Sequence, residues 1–289
     1  MISVTVDCTR GARIDNLIDR LSGKQWLWQG TQSFEHAPVA LGASYDDHWN
    51  GGWDDLFPND APGTFEGYRL PDHGELWSQP WEVVRTSPVE FSVRHQCATV
   101  PASVEKTVRI GEGAECCVHY VVKNHGAEPF YFLFKLHPAI AVKPNDRILL
   151  PGGCVVPVDP TFSRMLGSAE PFDWPVGRGV RGERIDLSIV PPEGGGLQEF
   201  VYVTDLPEGW CGVRDGRTGA EIRIEFPLEV LPYCWLFMTY GGWRNHFTVV
   251  LEPCTNFPKE LSEAYQTGSC ASLLPQGTLD FTVTVRLSS

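Results

Sequence analysis

Residues 89–124 read VEFSVRHQCATVPASVEKTVRIGEGAECCVHYVVKN, and apolar and polar side chains alternate through three runs within them: VEFSVRHQCATV (89–100), SVEKTVRI (103–110) and CCVHYVVKN (116–124). A period of two sends successive side chains to opposite faces of an extended chain, so each run has one face for a core and one for water. The breaks between runs carry Gly and Pro, which is how antiparallel strands joined by hairpins are written. The same reading extends outward to WEVVRT (81–86), FYFLFKLH (130–137), EFVYVTDL (199–206), EIRIEF (221–226), YCWLFMTY (233–240), FTVVLEP (247–253) and FTVTVRL (281–287). No stretch supplies the repeated helices that a parallel crossover sheet requires. One helix is expected in PKELSEAYQTG (258–268), with Pro258 near its first turn and Gly268 to end it. No internal repeat, charge run or Ser-rich linker marks a boundary. The chain therefore reads as all-β, one large antiparallel β-sandwich domain over residues 1–289.

Composition agrees and narrows the function classes. Gly (29) and Pro (23) are too frequent for a helix bundle, and a formal charge of −13 repels phosphate backbones and anionic lipid, so nucleic acid and membrane surfaces are not expected partners. No apolar run approaches the length of about 18 residues needed for a membrane span, and the N-terminus lacks the pattern of a secretory signal. The nine cysteines are odd in number and form no CxxC pair or Cys/His cluster, which reads as reduced thiols in a cytoplasmic protein without a metal site. Adjacent Cys116 and Cys117 should face opposite sides of their strand. Ten Trp, eight Tyr and fifteen Phe exceed what a core of this size needs, and flat rings beside carboxylates suit a neutral polyhydroxylated ligand.

Three segments could carry chemistry. Residues 48–81, HWNGGWDDLFPNDAPGTFEGYRLPDHGELWSQPW, lack strand periodicity and are too aromatic for disorder, which suggests a site wall. Within them His73 sits in a turn beside Gly74. FYFLFKLHPAIAV (130–142) is an apolar strand with a single His137, either a core group bonded to backbone or a general acid. TVVLEPCT (248–255) ends an apolar strand with Glu252, which is either held by loop amides or catalytic. Chain spacing leaves open whether these three meet.

Taken in order, the segments resemble the galactose mutarotase-like superfamily, the aldose 1-epimerases and their relatives. The resemblance runs over most of the chain: Gly11-Ala12-Arg13-Ile14 and Trp26-Leu27, Gly51-Gly52-Trp53 and Phe57-Pro58-Asn59, His73-Gly74, His137-Pro138, Leu251-Glu252-Pro253 with Thr255 and Pro258, and Leu274-Pro275-Gln276-Gly277. It implies a β-supersandwich with a sugar cleft and interconversion of the α and β anomers of an aldose, without metal or other cofactor. Glu252 matches the family's general base, His137 its general acid and His73 the histidine that binds the sugar beside them. A monomer or homodimer acting on a small sugar is expected.

The departures point to a divergent branch. Better-known members carry an arginine in the glycine-rich segment, whereas GGWDDLFPN has none, so Asp54, Asn59 and Glu75 become candidate sugar contacts. Trp243 and Arg244 join them, because Gly241 and Gly242 before Trp243 let backbone approach a ligand. Trp53, Trp77 and Trp81 are further candidates for stacking on a sugar. Three other readings stay open. One is a hexose 6-phosphate epimerase, with Arg69, Arg244 and Lys135 for the phosphate. Another is a carbohydrate-binding or regulatory protein without turnover, and the third a glycosidase or lyase pairing Glu252 with Asp54, Asp55 or Glu75.

Overall fold

A computed structural model describes residues 1–30 and 39–288. Two antiparallel sheets carry the architecture. The nine-stranded sheet runs in the order Ile2–Asp7, Arg13–Asp19, Trp53–Leu56, Lys135–Ala141, Phe247–Cys254, Tyr233–Tyr240, Leu197–Thr204, Cys154–Pro157 and Phe172–Asp173. The eight-stranded sheet runs Arg147–Leu149, Trp210–Arg214, Glu221–Glu225, Thr278–Ser288, Glu115–Asn124, Ala102–Ile110, Glu90–Gln96 and Glu82–Thr86. Their inner faces share one apolar core in which Leu136, Val201, Leu236 and Leu251 meet Val104, Val118, Tyr120 and Val283. Through it passes a sealed polar contact: Lys106 Nζ lies 2.7 Å from Asp55 Oδ2, and the Tyr120 hydroxyl donates to Asp55 Oδ1 at 2.8 Å. The expected all-β, antiparallel sandwich is the fold observed.

The period-two runs become strands wherever one face is exposed. Cys116 is buried and Cys117 half-buried, as alternation requires, and all nine cysteines are free thiols. The helix after Pro258 forms at Leu261–Thr267 and ends on Gly268, whose φ of 74° belongs to the left-handed region that closes helices. Among the described residues no helix is long and apolar enough to cross a membrane.

Two expectations need correction. FYFLFKLH is not one strand: Phe130–Phe132 pairs with Ala271–Leu273 in a separate small sheet, and Lys135–Ala141 enters the large one. Residues 48–81 are not irregular throughout, because Trp53–Leu56 is an interior strand and Gly63–Phe65 pairs with Tyr68–Leu70 as a hairpin. The first was hidden by continuous apolarity, the second because Trp53–Leu56 is buried on both faces and so does not alternate.

The outer face of the nine-stranded sheet is also covered. Tyr45, Trp49, Leu56, Trp77, Ala139 and Val250 form a second, smaller apolar cluster there, with Phe237 and Trp243 packed against it. Tyr45 belongs to a one-turn helix, Tyr45–His48, capped by Ser44. This face holds the site.

Candidate active site

Three adjacent strands set the floor of a cavity of about 250 Å³. His137 pairs in register with Asp54 on one side. On the other, the pairs Lys135↔Cys254 and Ala139↔Val250 bracket His137 and Glu252, so these two stand opposite each other. Because side chains alternate, Lys135, two residues before His137, shares its face. Nε2 of His137 lies 3.9 Å from Oε1 of Glu252, and Lys135 Nζ lies 2.6 Å from Glu252 Oε2 while also pairing with Asp60. The Lys135 ammonium sits 4.3 Å from the centroid of the Trp235 ring, with Trp235 cross-strand from Glu252.

The wall is built from segments distant in the chain. His73, 22% exposed, has its Nδ1 2.8 Å from Asp72 Oδ1 and its Nε2 4.0 Å from Asp60 Oδ2. The other Asp72 oxygen accepts the Tyr45 backbone N–H at 2.8 Å, so one carboxylate orients both the imidazole and the one-turn helix. Tyr45 stacks on His73 at 4.3 Å between centroids, and its hydroxyl touches His137 Nδ1 at 3.1 Å and donates to Asp54 Oδ2 at 2.9 Å. Trp49, Phe162, Phe200, Phe237 and Trp243 supply flat apolar surface facing this polar floor.

The electrostatics divide the titrating groups. Burial, reinforced by the Lys135 and His73 cations, pushes His137 well below the usual histidine value, which favours neutral imidazole. Burial also pulls on His73, but Asp60 and Asp72 outweigh it and hold His73 above the usual value. Burial raises Glu252 against the opposing pull of Lys135. For Lys135 and Asp60 the order is reversed: burial opposes the charge, and each is nonetheless held ionised, Lys135 by Asp60 and Glu252, Asp60 by Lys135 and His73.

His73, His137 and Glu252 thus open on one cavity, and Trp243 lines it as well. The other sequence candidates lie elsewhere. Asp54 sits behind Tyr45 as its hydrogen-bond acceptor and does not line the cavity. Asn59 is buried and donates to the carbonyls of Ala61 and Pro71, which fastens a loop. Glu75 accepts from His95, from the Ala98 and Thr99 amides and from the Thr99 hydroxyl, so its oxygens are fully used. Arg244 pairs with Asp47 at 2.7 Å outside the cavity. Trp53, Trp77 and Trp81 are at most 4% exposed and belong to cores. A Cβ on Gly242 would meet the Leu197 carbonyl oxygen at 2.6 Å, so this glycine lets backbone approach a neighbouring strand, not a ligand.

Tyr45, Trp49 and Asp60 were not singled out in the sequence. Lys135 was considered only for phosphate, although its two-residue spacing from His137 is enough to put both on one face.

No protein-family model matches the chain, and no curated protein matches it. Solved structures do. A galactose mutarotase-like protein from Lactobacillus casei ATCC 334 superposes with a TM-score of 0.72 at 16% identity, covering 99% of this chain and 97% of that one. A proposed aldose 1-epimerase from Klebsiella pneumoniae subsp. pneumoniae MGH 78578 gives 0.77 at 16%, over 99% of this chain and 76% of its own. The Slr1438 protein from Synechocystis sp. PCC 6803 gives 0.72 at 18%, over 99% and 91%. The chain therefore has the galactose mutarotase-like fold, with little sequence identity to the solved structures that share it.

Proposed function

We propose that the cavity binds a single aldose ring and interconverts its α and β anomers, with Glu252 and His137 as the base and acid. The observation that carries this reading is the 3.9 Å between Nε2 of His137 and Oε1 of Glu252 on the floor of one cavity. Anomeric exchange requires a proton to leave the anomeric hydroxyl while another reaches the ring oxygen. The bond between the anomeric carbon and the ring oxygen breaks, and an open aldehyde forms. Both oxygens are bonded to the same carbon, so the acid and base must be close neighbours. Rotation of the aldehyde and closure with the roles reversed give the other anomer, and the pair carries one proton throughout.

The size suits one ring, since a cavity of about 250 Å³ falls just under the range of roughly 300–1,000 Å³ typical of drug-sized ligands. His73, its pKa raised by Asp60 and Asp72 against the opposing effect of burial, donates to a sugar oxygen, and Trp49 and Trp243 offer faces for axial C–H bonds. Of the three cations considered for a phosphate from sequence, none is available in the cavity, whereas Lys259 lines it, so the 6-phosphates belong in the test. Arg69 is exposed and remote from the cavity, Arg244 is engaged by Asp47, and Lys135 by Asp60 and Glu252. The glycosidase pairings of Glu252 with Asp54, Asp55 or Glu75 are disfavoured because none of the three lines the cavity.

The test follows anomer equilibration of several free aldoses and their 6-phosphates by NMR, with Glu252→Gln in parallel. Acceleration by the wild type, reduced about 10²–10⁴-fold in the variant, is expected. Intact fold with no acceleration for any sugar overturns the reading. A second reading, sugar binding without turnover, is favoured by the engagement of Glu252 with Lys135, and is supported by saturable binding that survives Glu252→Gln with no rate effect of the wild type.

A further inference from the structure

We propose that Lys135 is the positioning residue of this site: clamped between Asp60 and Glu252, its ammonium aims the Glu252 carboxylate at the cavity and sets the pH range in which the Glu252–His137 pair works. This rests on the reading of that pair as base and acid.

Lys135 is 2% exposed, its carboxylate partners Asp60 and Glu252 are 6% and 1% exposed, and all three line the cavity. Removing three charges from water is costly, and well-packed apolar residues often serve stability as well or better. The chain already has a buried lysine–carboxylate pair, Lys106–Asp55, but that one is sealed between the sheets, whereas Lys135 lies where a ligand would rest. Its ammonium lies at ion-pair distance from Asp60 and Glu252 and over the Trp235 ring, so it is committed to the protein and orients Glu252 instead of capturing an anion. Holding Glu252 Oε2 turns the other oxygen, Oε1, toward His137.

The groups facing this cluster come from several elements: Asp60 and His73 from the 57–75 segment, His137 from the lysine's own strand, Cys254 beside Glu252 and Tyr45 from the one-turn helix, with Cys234 behind the sheet in the core. Burial pushes both thiols and the Tyr45 hydroxyl upward, so they stay neutral near pH 7. The titrating groups are Glu252, His137 and His73. The Lys135 cation acts in one direction on Glu252 and His137: it favours ionised Glu252 and disfavours protonated His137. Removing it moves both pKa values up, and both limbs of a pH–rate profile move to higher pH together, whichever member of the pair holds the proton.

The experiment measures kcat and KM of anomer exchange against pH for the wild type, Lys135→Met and Lys135→Arg. In Lys135→Met both limbs should shift upward by about 1–3 units, with kcat reduced about 100-fold. Lys135→Arg should keep the limbs in place and lower kcat with little change in KM, because the cation remains while Glu252 is displaced. A folded Lys135→Met with unmoved limbs overturns the proposal. If that variant does not fold, wild-type kcat in Lys135→Arg overturns it. A wild type without exchange activity defeats the functional reading alone; the Glu252 carboxyl is then titrated by carbon-13 NMR in wild type and Lys135→Met, assigned through Glu252→Gln. An upward move on loss of the lysine supports the proposal, and coincident titrations refute it.

Discussion

The Tyr45 hydroxyl bridges His137 to Asp54: it lies 3.1 Å from the imidazole Nδ1 and donates to the carboxylate at 2.9 Å. A phenol that gives its only proton to Asp54 must accept from His137, so Nδ1 keeps its hydrogen and Nε2 is the nitrogen left to take up and release the pair's proton at the cavity. Tyr45 thereby selects the tautomer of a residue 92 positions away.

Tyr45→Phe keeps the ring that stacks on His73 and removes this bridge. The expected result is a kcat lower by about 10-fold or more, with KM nearly unchanged, and a fold destabilised by roughly 1–3 kcal/mol because Asp54 loses a buried partner. Exchange kinetics with urea unfolding check both. Wild-type kcat in the variant removes the tautomer argument.

The two histidines make stability depend on pH in opposite directions. His73 has its folded value above the ordinary 6.5, so its contribution is complete below 6.5 and is lost as pH rises through the folded value. His137 has its folded value below 6.5, so the unfolded chain takes up the proton first and stability falls as pH drops below 6.5. Unfolding midpoints across this range should show His73→Gln flattening the alkaline slope and His137→Gln the acid slope. Parallel curves for wild type and both variants would falsify the assignment.

Lys106→Met tests the division between the two buried lysines. It leaves Asp55 unpaired between the sheets and should cost about 3–5 kcal/mol, while kcat per folded molecule stays at the wild-type value. Calorimetric unfolding paired with active-site-normalised rates distinguishes this from Lys135→Met. Equal loss of kcat in both variants would contradict the separation drawn here.

What could be read in the chain followed from periodicity. Strands such as Ala102–Ile110 and Thr278–Ser288 declare themselves because one face meets water. Trp53–Leu56 does not, since all four residues are covered, and the break at Leu133-Phe134 is concealed within continuous apolar sequence. Glu252 reads as a strand end before Pro253, yet the strand continues through Cys254 and the carboxylate is 1% exposed. Glu75 was misjudged because its partners, His95, Ala98 and Thr99, arrive from a different strand and turn. Tyr45 and Asp60 gave no signal, because their roles depend on how separate loops fold over the sheet.

The placement of His137 and Glu252 on neighbouring strands has a further consequence. Adjacent strands lie about 4.7–4.9 Å apart, a spacing dictated by backbone hydrogen bonding and indifferent to side-chain identity. The gap between these two residues is therefore inherited from the ladder itself. Loops carrying Trp49, Phe162 and Trp243 are free to diverge, and with them the choice of ligand, while the backbone separation of the pair stays constant unless the strands slip in register. Such a division lets the ligand-facing surface vary without disturbing the paired side chains beneath it.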